Sequence, residues 1–274
     1  MVQILGPGYS RLTEIRALLL AAGLGTRLRP YTENLPKCLM PVSRRPLLEH
    51  WLCTLYRQNV SKVLVNTHHH AEVVQEFLTR KPFQGWVDEV YEQELLGTAG
   101  TLRNNWQYFA DSTTLLIHSD NWCQCDFGNF LRYHMFERPA HTVMTMMTFD
   151  TAAPENCGIV KLDKKGVVTE FYEKPTHPVS NLANAAVYIL EPEIIDALGC
   201  GPETVDFSTE IIPKYLGQIA TWENCNIHRD IGVIDSLIDA QLDPTPENCW
   251  SIEDDWLVNY QRNSVVRKIG SMIL

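Results

Sequence analysis

The chain has 274 residues, of which 45% are hydrophobic and 20% charged, and its net charge is −10. That acidity, with no interleaving of basic and aromatic residues, argues against a nucleic-acid surface. No apolar run approaches the ~20 residues of a membrane span, and residues 1–10 lack a basic region leading into a long apolar core, so no leader peptide and no membrane partner are expected.

Read in order, the chain alternates. An apolar run predicts a buried strand over 16–22, ending in the turn Gly23-Leu24-Gly25. A helix is predicted over 46–59, a strand over 62–66, a helix over 71–80 and a strand over 86–91. A helix over 98–109, a strand over 113–118, a helix over 126–137 and a strand over 141–149 follow. Such alternation predicts an α/β fold, with a Rossmann-like, mostly parallel sheet flanked by helices. Beyond residue 150 the pattern changes. Residues 159–162 and 167–172, joined by Asp163-Lys164-Lys165-Gly166, predict a β-hairpin. A strand over 184–190, helices over 193–198 and 208–216, a short strand over 226–228 and a helix from 236 complete the core. Residues 242–274, with Pro244, Pro246, an acidic patch at Glu253-Asp254-Asp255 and a basic one at Arg262, Arg267 and Lys268, read as a helical arm. The expected division is therefore a main domain over 1–241 and a C-terminal helical extension over 242–274.

The charge is uneven. Residues 1–62 carry nine Arg and Lys against three acids, a net of +6, leaving −16 for the rest. A positive segment in an acidic chain predicts a local anion site. Its centre is Ala21-Ala22-Gly23-Leu24-Gly25-Thr26-Arg27-Leu28-Arg29-Pro30. Glycines at a strand end let backbone N–H groups approach an anion, and Arg27 and Arg29 bring fixed charge suited to phosphate. The loop is neither G-x-G-x-x-G, since position 28 is Leu, nor a P-loop, since no Lys-Ser/Thr pair follows.

Four further constellations carry chemistry. Lys37, between Pro36 and Pro41, sits on a stiff segment within reach of the same phosphates. Asp120 follows the apolar strand at 113–118, where open α/β sheets bind ligands. It is a candidate Mg²⁺ ligand or, in the bland alternative, a helix N-cap. Glu173-Lys174 pairs an acid with a base at a strand end, suited to sugar hydroxyls and phosphate or simply to a surface ion pair. Asp230, in Asp230-Ile231-Gly232, offers a second strand-end carboxylate, which with a triphosphate completes a metal site. The eight cysteines are scattered, which predicts reduced, mostly buried thiols and a cytoplasmic protein. Cys123-Gln124-Cys125 lacks the spacing and second pair of a zinc knuckle.

Taken together and in this order, the Gly23-to-Arg27 loop, Pro36-Lys37, Asp120, Glu173-Lys174-Pro175 and Asp230-Ile231-Gly232 resemble the sugar-1-phosphate nucleotidylyltransferase family, the NDP-sugar pyrophosphorylases. The likeness runs from about residue 16 to 240 and includes Val65-Asn66-Thr67-His68-His69, Leu96-Gly97-Thr98-Ala99-Gly100, Asn156-Cys157-Gly158-Ile159-Val160 and Asn184-Ala185-Ala186-Val187-Tyr188. It marks the histidine run at 68–70 as a structural segment at a helix start rather than a metal site. The resemblance implies a Mg²⁺-dependent enzyme that moves a nucleotidyl group from an NTP to a sugar 1-phosphate and releases pyrophosphate. It implies that Ala21, Ala22, Gly23, Gly25 and Thr26 hold the nucleotide, with Gly97 and Thr98 near the base and ribose. It implies further that Arg27 binds the leaving pyrophosphate and Lys37 the α-phosphate, that Asp120 and Asp230 hold Mg²⁺, that Gly158, Glu173 and Asn184 read sugar hydroxyls, and that Lys174 binds the sugar phosphate.

The chain also departs from the family pattern. Ser119 replaces the usual glycine before the metal aspartate, Ala-Ala-Gly replaces the commoner Ala-Gly-Gly, and Cys157 stands where an aromatic residue is frequent. The 242–274 arm is too short for the repeat domain of bifunctional acetyltransferring relatives, so that second activity is not expected. It is instead a candidate contact element for a homo-oligomer. Leu-Gly-Thr-Ala-Gly at 96–100 resembles guanylyltransferases most, favouring GTP with mannose-, heptose- or another hexose-1-phosphate. UTP, CTP or dTTP with another sugar phosphate is the alternative, as is a non-catalytic regulatory relative. A glycosyltransferase using a ready-made nucleotide sugar would carry an Asp-x-Asp motif after a suitable strand, which is lacking here.

Overall fold

The computed structural model describes residues 14–250 and 254–272. The leader reading of residues 1–10 and Glu253 of the acidic patch lie outside them. The first elements are β1 (Ile15–Leu20), β2 (Pro41–Val42), β3 (Arg45–Pro46), α1 (Leu47–Arg57), β4 (Lys62–Thr67), α2 (Ala71–Leu78) and β5 (Val87–Tyr91). Next come α3 (Gly97–Asn104), α4 (Trp106–Phe109), β6 (Thr113–His118), β7 (Asn121–Gln124), α5 (Phe127–Phe136), β8 (Met144–Asp150), β9 (Gly158–Leu162) and β10 (Val168–Glu173). The last are β11 (Leu182–Leu190), α6 (Pro192–Cys200), β12 (Ile219–Glu223), β13 (Ile227–Asp230), α7 (Ile234–Leu242), α8 (Asp255–Arg262) and α9 (Ser264–Gly270). The Rossmann-like α/β class forms as expected, with a central sheet flanked by helices. The short strands β2, β3, β7 and β12 carry no long apolar alternation and add to the expected set. The helix expected over 208–216 is instead a π-helical turn, Phe207–Ile211, followed by a 3-10 turn, Ile212–Tyr215. Pro213 lacks the N–H that a continuous α-helix requires there. Among the described residues no helix is long and apolar enough to cross a membrane.

The chain forms two compact units. The first comprises residues up to Leu18, Leu96–Ile117 and Asp126–Cys225. Its strands run in the order β10-β9-β11-β6-β1, with β8 paired to β11 and to β12. β8 and β12 are parallel, whereas β11 is antiparallel to β6, β8 and β9. β6 is buried over Thr113–Ile117, as befits a strand covered on both faces. His134 of α5 is buried, with its Nδ1 2.8 Å from Thr145 Oγ1. Burial holds the imidazole pKa below its ordinary value, against the raising effect of Glu191.

The second unit comprises Leu19–Leu95, His118–Cys125 and Asn226–Leu274. Here the end of β1 lies beside β4, β4 pairs in parallel with β5, and β7 and β13 form a separate antiparallel ribbon. α1 buries Leu47, Leu48, Trp51, Leu52 and Leu55, a single stripe at helical spacing. Arg80, 3% exposed, organises the packing of α8. Its guanidinium lies 5.1 Å from the Trp256 ring and 5.3 Å from Phe77, donates to Glu49 at 2.5 Å, and donates to Asp254 at 2.7 Å. Asp254 also caps α8 by accepting from Leu257 N–H, and the Tyr260 hydroxyl donates to the Leu39 carbonyl at 2.6 Å. His50 is buried too, bonded to the Val42 carbonyl, and burial again lowers its pKa.

Cys53 of α1 and Cys249 form a disulfide, so the expectation that all eight thiols are reduced fails at this pair. Their Cα atoms, 5.6 Å apart, meet because the segment after α7 returns to α1, a proximity that a separation of 196 residues conceals. Cys38, Cys123, Cys125, Cys157, Cys200 and Cys225 form no disulfide among the described residues.

Two outcomes follow for stability. Arg80→Leu leaves Glu49, 1% exposed, with Arg45 as its remaining ion-pair partner among the described residues, and urea unfolding is expected to show a loss of about 1–3 kcal/mol. Both buried histidines have folded-state pKa values below the unfolded value of about 6.5. Their neutral forms therefore stabilise the fold fully above that pH, and this contribution is lost as pH falls through the folded values. The urea midpoint should decline from pH 7 towards pH 5, and His134→Gln should flatten the decline.

Candidate functional site

Residues from four separate stretches meet in the second unit. β1 ends at Leu20, and the chain enters an open loop in which Ala21 and Ala22 are buried while Gly23, Leu24, Thr26 and Arg27 are exposed. Gly25 turns the chain at φ +60 into a 3-10 turn over Thr26–Leu28. A Cβ on Gly25 would stand 2.8 Å from Thr32 Cγ2, whereas one on Gly23 would meet nothing within 4 Å. The Thr32 hydroxyl donates to the Gly25 carbonyl at 2.8 Å, closing the loop.

Lys37 opens a further 3-10 turn, Lys37–Leu39, behind Pro36. It is a buried lysine rather than a loose loop cation. Its ammonium donates to Asp120 Oδ2 at 2.6 Å and to Asp230 Oδ1 at 3.1 Å. Arg27, 65% exposed, donates to Asp230 Oδ2 at 3.2 Å. Burial opposes the Lys37 ammonium, but the two carboxylates outweigh it and hold its pKa above the ordinary value. Burial alone would raise the Asp120 carboxyl, yet Lys37 and His118 draw it below the usual range.

The β7–β13 ribbon brings the two aspartates together. Asp230 is registered opposite Asn121, the residue after Asp120, and Ile231 N–H donates to the Asp120 carbonyl at 3.1 Å. Asp120 is therefore not a helix cap; Asp126 caps α5 by accepting from Asn129 N–H. Ser119, fully buried, uses both its N–H and its hydroxyl to bond the Leu20 carbonyl, at 3.1 and 2.7 Å. The Trp51 indole donates to the Asn121 carbonyl at 2.8 Å. Sequence reading found the carboxylates and missed these supports, which carry no motif of their own.

Two carboxylates converging on the Lys37 ammonium offer the oxygen ligands that suit a hard ion. Mg²⁺ takes one or two carboxylates and completes its octahedron with phosphate and water oxygens. Among the described residues no cluster of three or more His, Cys, Asp or Glu could hold a metal by itself. His68 and His69 bond the Glu92 and Thr32 carbonyls, and His70 sits at φ +52 before α2.

The remaining predicted site residues belong to the first unit. Gly97 begins α3 at φ +78, where a Cβ would lie 2.4 Å from the Val205 carbonyl. The Thr98 hydroxyl accepts from Phe207 N–H at 2.7 Å. Gly158 is registered opposite Glu173, and a Cβ there would strike Phe171 at 2.6 Å and Glu173 at 3.0 Å. Lys174, at φ +46, is 66% exposed, with its ammonium 3.7 Å from Glu173. Asn184 lies at a bulge in β11, donating to the Tyr188 hydroxyl at 2.6 Å and accepting from Ala186 N–H. Burial pushes the Tyr188 phenol pKa up, against the lowering effect of Asn184 and Ser208.

The profile of the nucleotidyl transferase family matches residues 16–246. This chain belongs to that family. It is 30% identical over 207 residues to the Drosophila melanogaster mannose-1-phosphate guanylyltransferase catalytic subunit beta, an alignment covering 74% of this chain and 55% of the relative. It is 29% identical over 214 residues to the UTP–glucose-1-phosphate uridylyltransferase of a Synechocystis strain, covering 73% and 55%. The chain thus spans just over half the length of these relatives. HddC from Yersinia pseudotuberculosis, also crystallised with GMP-PN, shares the fold with a TM-score of 0.70 at 24% identity, covering 83% of this chain and 98% of that one.

The loop geometry separates its two glycines. Gly25→Ala is expected to cost about 1–3 kcal/mol in thermal or urea unfolding, because φ is positive and Thr32 is in the way. Gly23→Ala should stay within about 0.5 kcal/mol of the parent protein.

Proposed function

We propose that this chain transfers a nucleotidyl group from an NTP, GTP by preference, to a sugar 1-phosphate of the mannose, heptose or other hexose type, releasing pyrophosphate. The observation that carries the reading is the Lys37 ammonium shared by Asp120 and Asp230 with Arg27 alongside, in the same unit as a glycine loop whose outer residues are exposed. Guanylyl and uridylyl transfer in the names of relatives support the reaction class, and the guanine nucleotide bound by HddC supports the preference for GTP. The uridylyltransferase relative makes UTP with glucose 1-phosphate the second reading.

The chemistry asks for charge management more than for a base. The sugar phosphate oxygen is already an anion, and it must displace pyrophosphate from the α-phosphorus of another polyanion. Mg²⁺ held by Asp120 and Asp230 would supply neutralising charge to the phosphates. Arg27 binds the departing pyrophosphate, and Lys37 moves its donors from the carboxylates to the α-phosphate. Ala21, Ala22, Gly23, Gly25 and Thr26 seat the nucleotide, with Gly97 and Thr98 assigned to base and ribose. Lys174 is assigned to the sugar phosphate, and Gly158, Glu173 and Asn184 to the sugar. Preorganised donors of this kind are worth roughly 3–4 kcal/mol each at the transition state. Residues 1–241 then form the catalytic domain. The 242–274 extension is the proposed homo-oligomer contact, and the cytoplasm is the proposed compartment.

The test is pyrophosphate release with GTP, UTP, CTP and dTTP against a panel of sugar 1-phosphates, with and without Mg²⁺. Release is expected only when both substrates and Mg²⁺ are present. Asp120→Asn should lower turnover by about a hundredfold or more, and Lys174→Ala should act mainly on the KM for the sugar phosphate. No release with any pair would refute the reading.

A further inference from the structure

Where β1 gives way to the loop, the Ala21 N–H donates to a side chain, Asn66 Oδ1, at 2.7 Å. Asn66 stands near the end of β4 and is 3% exposed. A carboxamide presents an acceptor and a donor, and only one orientation offers the oxygen to Ala21. That orientation is matched on the far side, where Asn66 Nδ2 donates to Glu92 Oε1 at 3.0 Å, a carboxylate oxygen serving as its acceptor. Glu92 is 4% exposed and fixed by its own backbone, its N–H donating to the Thr67 carbonyl at 2.8 Å and its carbonyl bonded to His68 Nδ1.

We propose that Glu92 and Asn66 are positioning residues that lock the first residue of the nucleotide loop, and so set the affinity for the NTP without touching the sugar phosphate. This rests on the assignment of Ala21–Arg27 to the nucleotide. The relay has a direction, from carboxylate to carboxamide to backbone N–H. Asn66→Asp leaves an acceptor for Ala21 but sets a second carboxylate against Glu92 in a buried place, which like charge opposes. Adding Glu92→Gln restores the relay with its middle and far members exchanged. The new amide donates to the carboxylate introduced in the middle of the relay, and that carboxylate accepts from the Ala21 N–H.

The experiment titrates wild type, N66D and N66D/E92Q with the fluorescent nucleotides mant-GTP and mant-UTP, measures the sugar-phosphate KM by pyrophosphate release, and follows hydrogen exchange at the Ala21 amide. N66D is expected to weaken nucleotide binding roughly tenfold or more, to leave the sugar-phosphate KM within about twofold, and to speed exchange at Ala21. The double variant recovers most of the affinity and the protection. A merely structural role would instead shift both substrates together with the melting temperature. Wild-type affinity in N66D, or a double variant no better than N66D, overturns the proposal. Should N66D fail to fold, E92L against E92Q decides, since E92L is expected to lose nucleotide affinity that E92Q keeps, and equal loss overturns the proposal. Failure of the wild type to bind either nucleotide counts against the functional reading, while Ala21 exchange, which needs no ligand, still decides the anchoring.

Discussion

The ammonium of Lys37 lies between the carboxylates of Asp120 and Asp230, and the second unit is arranged to make that contact possible. Two acids brought this close repel each other, and burial raises the cost of charging Asp120. A cation carried on a stiff turn between prolines offsets both terms, and its own burial is offset in return. Lys37 and Asp120 are therefore interdependent, each held charged by the other, and Asp230 gives the ammonium its second acceptor. Ser119 on the Leu20 carbonyl and Trp51 on the Asn121 carbonyl hold the backbone that carries Asp120, so the cluster does not rely on loop stiffness alone.

Much of this was legible in the chain. The apolar runs located the long strands because burial on both faces leaves a continuous signature, as in Thr113–Ile117. The charged residues of the cluster could be named because each follows a strand end or flanks a glycine or proline. Their mutual geometry could not, since it depends on the β7–β13 ribbon, two four-residue strands too short to show periodicity. Gly23 and Gly25 look alike as letters, and only the backbone distinguishes the one at φ +60, pressed on Thr32, from the one in open space. Asn66 stood inside a recognisable segment, yet its partner Glu92 lies on a different stretch with no spacing rule to link them.

The C-terminal region shows the same division between what is local and what is not. Its helices were expected from composition. Their attachment through Arg80 was not, because Arg80, Glu49 and Asp254 are ordinary surface residue types until Phe77, Phe83 and Trp256 close over them. The Cys53–Cys249 bond belongs to the same attachment, and the general rule for scattered cysteines fails there for want of knowledge that the chain returns to α1.

The β7–β13 ribbon also limits how this chain can change in length. Side chains alternate faces along a strand, so a single residue gained or lost between Ile227 and Asp230 would turn the carboxylate away from Lys37. The segment between β12 and β13 carries no such parity, and Asn224 within it is buried with its N–H donating to the Thr148 carbonyl at 2.7 Å. A change of length that spares the site should therefore fall outside Ile227–Asp230, because within it the register that aims Asp230 at Lys37 is fixed by parity.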